Sequence, residues 1–164
     1  MIKLMGSVCV LAAGVLVRCR QTAEERRYRE LLRDLAAAFL AMSDGIRIGN
    51  VSLPRLLESA AQNSREEAAA FFVTVQAFCR KYGIGEAWRR GTDLLRLDTG
   101  ERQILLDAAA CLSGDAEQVC RGLNAAAESL RRQLCRRQEQ AEDTGKRTAA
   151  LCLSVPALIV ILLI

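Results

Sequence analysis

Apolar residues recur every three or four positions in the segment that precedes the turn-like sequence IGNVSLP. The series comprises Tyr28, Leu32, Leu35, Phe39, Met42 and Ile46. This spacing places one apolar stripe along a helix, with the charged residues between them on the opposite side. It predicts a long first helix that continues from the apolar N-terminal run without a break and ends near Gly49.

Two shorter helices are predicted next. Ser52 is a suitable N-cap, and Pro54 lies in the first turn, where its missing N–H removes no hydrogen bond. Ser64 and Glu67 have the spacing of a capping box at the start of the third helix. Its apolar side comprises Ala68, Phe71, Phe72, Val75, Phe78 and Tyr82. The glycines of the sequence YGIG are expected to end it.

The segment EAWRRGTDLLRL predicts a fourth helix, with Trp88, Gly91 and Leu95 on one face and Leu94 beside them. A fifth helix is expected to start after a cap at residue 98 or 99 (Asp98 or Thr99), and the sequence SGD at 113–115 should end it. Its expected inward-facing residues are Ile104, Leu105, Ala108 and Leu112.

The last helix is predicted to begin after Asp115 as its cap and to continue to Ile164, with Pro156 as the one strong breaker along it. Its expected contacts with the first helix are Val119, Leu123, Ala126 and Leu130. Aromatic residues make up only 4% of the chain and only two prolines occur, which also favours helices over sheets.

The two ends carry the most apolar runs, Leu4–Val17 and Ala149–Ile164. As helices they would be about 21 and 24 Å long, short of the roughly 30 Å hydrocarbon core of a bilayer. A secretory signal would be an alternative for the first run, and a buried core helix for the second. Arginines that follow the first run oppose translocation, and the second run is apolar on every side, so we expect both in a membrane.

These patterns predict an all-α fold, an antiparallel bundle of about six helices whose long first and last helices run into the membrane. The expected domains are an N-terminal transmembrane segment (1–18), a cytoplasmic helical bundle (19–148) and a C-terminal transmembrane segment (149–164). The net charge is only +4, but arginines cluster beside both apolar runs. Lys and Arg next to membrane spans favour the cytoplasmic side, which sets this topology.

No catalytic or cofactor-binding pattern emerges from the sequence. The seven cysteines lack CxxC spacing, and the chain has no histidine to pair with a cysteine nucleophile or to bind zinc. The odd number of cysteines favours small apolar side chains in a reducing compartment over a disulfide framework. We therefore expect no enzyme, no cofactor, no metal and no small-molecule substrate. The split basic clusters, without an aromatic face, also argue against nucleic acid as a ligand.

Five residues are candidate contacts with a partner protein or with lipid. Arg132, Arg136 and Arg137 belong to the second basic cluster, and Glu86 and Trp88 to the segment EAWRRG. An exposed tryptophan can anchor a partner, although a single tryptophan at helical spacing is more often part of a core.

Five stretches in order along the chain resemble the stage III sporulation protein AB family of endospore-forming bacteria. They are MIKLMGSVCV, IRIGNVSLPRLLESAA, EAWRRG, ERQILLDAAACLSGDAEQ and the final VILLI. The second resembles the family pattern E-I-x-Y-G-x-T-P-L-x-E-A-L, but the acidic residue is shifted to Asp44 and an aromatic is replaced by Ile48. These departures concern surface contacts more than the fold.

The resemblance implies a membrane-anchored subunit of the complex that joins mother cell and forespore, in the mother-cell membrane facing the forespore. It also implies similarity to the helical cytoplasmic domains of inner-membrane platform proteins in type II secretion and type IV pilus machines. The implied partners are a secretion-type ATPase (stage III sporulation protein AA), ring and channel components of the same complex, and membrane lipid. A helical adaptor that binds an acidic partner or anionic lipid through the segment 131–147 is the alternative function.

Overall fold

The computed structural model describes the backbone of residues 2–49 and 51–163, and the side chains of residues 20, 22–49 and 51–141. All of its regular elements in these ranges are α-helices. In chain order they are α1 (Ile2–Gly49), α2 (Leu53–Asn63), α3 (Glu66–Tyr82), α4 (Ile84–Leu94), α5 (Thr99–Cys111) and α6 (Ala116–Leu163). The predicted all-α fold of six helices, with long first and last helices, is confirmed.

The longest helices, α1 and α6, pack against each other in antiparallel directions. Ser43 and Cys120 are joined by two hydrogen bonds of 3.4 Å, each donated by one side chain to the other residue's carbonyl oxygen. Four turns away, the Arg137 guanidinium lies 4.6 Å from the centre of the Tyr28 ring. This register places position 33 of α1 level with position 131 of α6.

The four shorter helices fold up and down beside this pair. We call the end of the bundle near Tyr28 the base and the opposite end, near Gly49, the tip. α2 returns from the tip to the base, where the Arg65 N–H donates to Asp34 Oδ2 at 3.1 Å. α3 runs from the base to the tip, and α4 runs back toward the base. α5 then runs toward the tip, where Cys111 lies against Gly122 of α6. All connections are therefore short turns.

Four aromatic side chains form the centre of the core. Trp88, Phe39, Phe71 and Phe72 are each fully buried. The Trp88 ring lies 5.1 Å from Phe71, edge to face, and 5.7 Å from Phe39. Because these residues come from α1, α3 and α4, this cluster joins the first long helix to two of the shorter ones. The apolar faces predicted for these helices are thus largely the ones that they bury, but Tyr82 at the end of the predicted face of α3 is 41% exposed.

Three details of the predicted helix ends and faces are wrong. The capping box at Ser64 does not form, because α3 begins one residue later with Arg65 as its N-cap, and this backbone N–H bonds to Asp34 instead. Gly85 lies inside α4, since Gly83 alone, with φ of 79°, makes the turn. Leu94 is 65% exposed although its neighbour Leu95 is buried, because α4 ends there and the chain turns outward.

Gly91 allows α3 and α4 to approach closely, and this contact gives a testable prediction. A Cβ atom at Gly91 would lie 2.8 Å from Val75 Cγ2 and 2.9 Å from Phe71 Cδ2, both fully buried. Gly91→Ala should therefore destabilise the fold by about 1–2 kcal/mol, because overpacking outweighs alanine's better helix propensity. Gly85→Ala in the same helix meets nothing within 4 Å and serves as the matched control. Chemical denaturation of both variants in detergent measures the difference, and equal midpoints would contradict the packing.

No helix in the described part of the chain is long and apolar enough to cross a membrane. The segments 1–18 and 149–164, predicted to be membrane-spanning, lie outside the residues whose side chains are described, as does Pro156.

Candidate functional site at the base of the bundle

A polar cluster at the base joins three helices. The Arg137 guanidinium of α6 donates from Nε and Nη2 to Glu101 Oε1, at 3.0 and 2.9 Å. Its Nη2 also donates to Asp98 at the start of α5. The phenol oxygen of Tyr28 in α1 accepts a hydrogen bond of 3.0 Å from the Asp98 backbone N–H. One arginine side chain thus contacts residues of both α1 and α5.

The charges of this cluster are arranged as in a structural ion pair that holds α5 and α6 together. The Glu101 side chain is only 4% exposed, so its carboxylate depends on Arg137 for compensation. Burial opposes the charge of Arg137, but the hydrogen bonds to Asp98 and Glu101 outweigh it and raise the pKa of this guanidinium. Burial raises the pKa of the Tyr28 phenol, against the lowering effect of the Asp98 N–H. Arg137 is therefore charged and Tyr28 neutral at physiological pH.

Replacing Arg137 by methionine should destabilise the chain by about 2–3 kcal/mol, because the Glu101 carboxylate would stay buried without a partner. The double variant Arg137→Met with Glu101→Leu should recover most of that loss, because neither charge then remains buried. A double-mutant cycle from denaturation curves in detergent measures the coupling. Strict additivity of the two single changes would show that the ion pair contributes nothing.

The other two candidate arginines differ from Arg137. Arg132 and Arg136 are exposed on α6, and the Arg132 guanidinium donates to Ser129 Oγ at 3.1 Å. Within the described residues, neither forms an ion pair with a carboxylate. They remain available to a partner, whereas Arg137 is committed to the fold.

Glu86 lies in the first turn of α4, on the side of the tip, and neither it nor Trp88 joins the base cluster. Glu86 accepts a hydrogen bond of 3.1 Å from Arg90 Nε, and this bond is the main reason that the pKa of Arg90 is raised. Arg90 in turn covers the Tyr82 ring at 4.1 Å. Trp88 is fully buried, so in this fold it is a core residue and offers no surface to a partner.

Sequence reasoning missed Tyr28, Asp98 and Glu101 as the partners of Arg137. The sequence pattern places Tyr28 in an apolar stripe and Asp98 at a helix cap, and it gives Glu101 no tertiary role. The one available signal is an acidic pair, Asp98 at the N-cap of α5 and Glu101 in its first turn. Acidic residues are common at the start of a helix, where they interact favourably with the helix dipole. Such a pair therefore indicates an arginine partner only when the tertiary packing is known.

The described residues include no group of three or more His, Cys, Asp or Glu side chains that could hold a metal ion. A groove of about 250 Å³ lies between α1 and α2, lined mainly by small residues such as Ala37, Ala41 and Ala60.

Comparison with known proteins gives one match. The model of the stage III sporulation protein AB family matches residues 3–164. No curated protein and no solved structure matches the chain significantly. The family is named for stage III of sporulation, so membership implies a role in sporulation. On this match over nearly its whole length, the chain belongs to the stage III sporulation protein AB family.

Proposed function

We propose that this chain is a non-enzymatic, membrane-anchored subunit of the complex that joins mother cell and forespore during endospore formation. In this role the helical bundle is a cytoplasmic platform that couples a secretion-type ATPase, stage III sporulation protein AA, to the channel and ring components in the membrane. The protein would lie in the mother-cell membrane facing the forespore.

The antiparallel pairing of α1 and α6 carries this proposal. Because Ser43 lies against Cys120 and Tyr28 against Arg137, α1 enters and α6 leaves the bundle at the same end. Beyond that end the sequence of each helix becomes an apolar run, Leu4–Val17 and Ala149–Ile164. Two such runs at one end of a helical pair suit a membrane hairpin, with arginines on the cytoplasmic side.

The base cluster gives the bundle a way to transmit force to the membrane. Arg137 holds α6 to the first turn of α5 through Glu101, which is nearly fully buried. Asp98 connects the same point to Tyr28 of α1. A force on the short helices would therefore be transmitted to both long helices close to the bilayer, because the base cluster connects them rigidly.

The tip is the end of the bundle farthest from the apolar runs, and it presents apolar surface. Ile48 is 81% exposed and Val51 is 37% exposed, next to the turn between α1 and α2. Exposed apolar side chains of this kind suit a contact with a cytoplasmic protein. In our proposal this end faces the ATPase.

Fractionation of sporulating cells tests the proposed location. The full chain should stay in the membrane pellet through a high-salt wash and an alkaline wash, and detergent should release it. Cells that lack the gene should fail to form spores. Release of the chain by salt alone, or normal spore formation without it, would contradict the proposal.

The adaptor is the second candidate, and the exposure of Arg132 and Arg136 favours it. It predicts that Arg132→Glu with Arg136→Glu abolishes sporulation while ATPase association stays intact. The platform proposal predicts instead that loss of function accompanies loss of ATPase association. Arg137 is left unchanged in this comparison, because its replacement would disturb the fold.

A further inference from the structure

Four arginines lie along the outer flank of the α1–α6 seam, on the side away from the short helices. They are Arg26, Arg29 and Arg33 of α1 and Arg131 of α6. On α1, Leu40 marks this flank, since it is partly buried and lies about 60° around the helix from Ser43, which bonds to α6. At 100° per residue, Arg29 and Arg33 each lie about 20° from Leu40 around the helix, and Arg26 about 40°.

The fourth arginine faces the same way from the opposite helix. Cys120 marks the flank of α6 that meets α1, through its hydrogen bonds with Ser43. Arg131 lies about 20° from Cys120 around the helix. The register of the two helices also places Arg131 level with Arg33. We call Arg26, Arg29, Arg33 and Arg131 the seam arginines.

The positive charge of this patch is not neutralised within the described part of the chain. Arg26, Arg33 and Arg131 are exposed and form no ion pair with any described carboxylate. Arg29 is half-buried and donates from Nε to the Glu25 carbonyl oxygen at 3.3 Å. The nearby carboxylates Glu25 and Glu128 lie outside salt-bridge distance of all four. Like charges held together favour an anionic partner.

The distance of these arginines from the membrane decides whether that partner is lipid or protein. This step rests on the membrane anchoring of our proposed function. At 1.5 Å per residue, Arg29 and Arg33 lie about 18 and 24 Å from Val17, and Arg131 about 27 Å from Ala149. The headgroup layer adds only about 7 Å to the hydrocarbon core, and charges are screened within about 8–10 Å. Arg33 and Arg131 therefore lie beyond the reach of anionic headgroups, whereas Arg26 and Arg29 lie nearer to the membrane.

We propose that the seam arginines bind an acidic surface of another protein of the sporulation complex. Guanidinium groups suit this contact, because they form paired hydrogen bonds with carboxylates. The contact covers the side of the long helices, and so it is separate from both the tip and the base cluster.

Photocrosslinking in sporulating cells tests the inference with the full chain. A photoreactive amino acid replaces Cys135, an exposed residue one turn from Arg131. We expect an adduct with a protein whose crosslinked segment is acidic. Arg33→Glu with Arg131→Glu should lower both the adduct and the spore count at least about tenfold, the loss expected for one or two charge-assisted hydrogen bonds. Arg33→Lys with Arg131→Lys should keep most of the adduct.

A charge-matched control is Arg55→Glu with Arg80→Glu, since both residues are exposed on α2 and α3 and, among the described residues, have no ion pair. This control should leave the adduct unchanged. An adduct with phospholipid only, an adduct with a neutral or basic protein segment, or no adduct at all would overturn the inference. An adduct whose yield is unchanged in Arg33→Glu with Arg131→Glu would also overturn it. Membrane pelleting of each variant is scored separately, so failure of the anchoring is distinguishable from failure of this contact.

Discussion

Replacing Trp88 by alanine is expected to lower the free energy of unfolding by about 3–5 kcal/mol. The side chain is fully buried between the rings of Phe39 and Phe71, so its loss opens a cavity where α1, α3 and α4 meet. Domains of this size are typically stable by only about 5–15 kcal/mol. The variant should therefore be close to unfolding at physiological temperature. Thermal and chemical denaturation of the full chain in detergent measure the loss.

Phenylalanine at the same position is the matched control. Among the described residues none accepts a hydrogen bond from the Trp88 indole N–H, although this atom is buried. Trp88→Phe keeps most of the aromatic packing and removes that unpaired donor, so we expect it to cost less than about 1.5 kcal/mol. Equal losses for the alanine and phenylalanine variants would show that ring packing is not what Trp88 contributes.

Deleting residues 151–164 should abolish spore formation and release part of the protein from the membrane. The deleted run is apolar on every side and contains no charged residue. The expected partial release follows from the first apolar run, Leu4–Val17, which stays in place. Spore counts and membrane pelleting of the truncated chain check both effects.

A chimaera separates anchoring from specific contacts of this run. Residues 149–164 are replaced by an unrelated transmembrane segment of the same length. If the run serves only as an anchor, the chimaera should restore both pelleting and sporulation. Restored pelleting without sporulation would show that this run binds a channel component. Normal sporulation of the truncated chain itself would count against membrane coupling by α6.

The helices and their buried faces could be predicted because they depend on local pattern. The stripe from Tyr28 to Ile46 has the helical period, and its central members Leu32, Leu35 and Phe39 are fully buried. The last helix follows the same logic, since Asp115 caps it through a hydrogen bond of 2.7 Å from the Gln118 N–H. Periodicity is a property of neighbouring residues, so a sequence displays it directly. Capping is less regular, since Ser52 and Asp98 stand at the N-cap positions of α2 and α5 without a side-chain cap hydrogen bond.

What could not be predicted depends on residues far apart in the chain. At the start of α3, Asp34 accepts the N–H of Arg65, which is the N-cap, and the expected Ser64 capping box does not form. Local spacing favours the serine, but the tertiary contact prevails. Similarly, Arg137 and Trp88 were both candidate contact residues, and only the fold shows that one is held by Glu101 and the other enclosed by aromatic rings.

The candidate contact surfaces also depend on contacts between residues far apart in the chain. Arg132, Arg136 and the seam arginines look alike in a sequence, since all belong to the basic clusters beside the apolar runs. The register of α1 against α6 brings Arg33 level with Arg131 and leaves Arg132 and Arg136 on other sides of α6. The arrangement of exposed charge therefore comes from the helix pair, not from the clusters themselves.

Crosslinking the full chain in sporulating cells, followed by purification in detergent, tests the platform proposal most directly. The account predicts that a secretion-type ATPase and membrane components of the complex are recovered with it. Ile48→Asp at the tip should deplete the ATPase while leaving the membrane components, because the two contacts lie at opposite ends of the bundle. Recovery of neither the ATPase nor any membrane component, from cells that sporulate normally, would contradict the central claim.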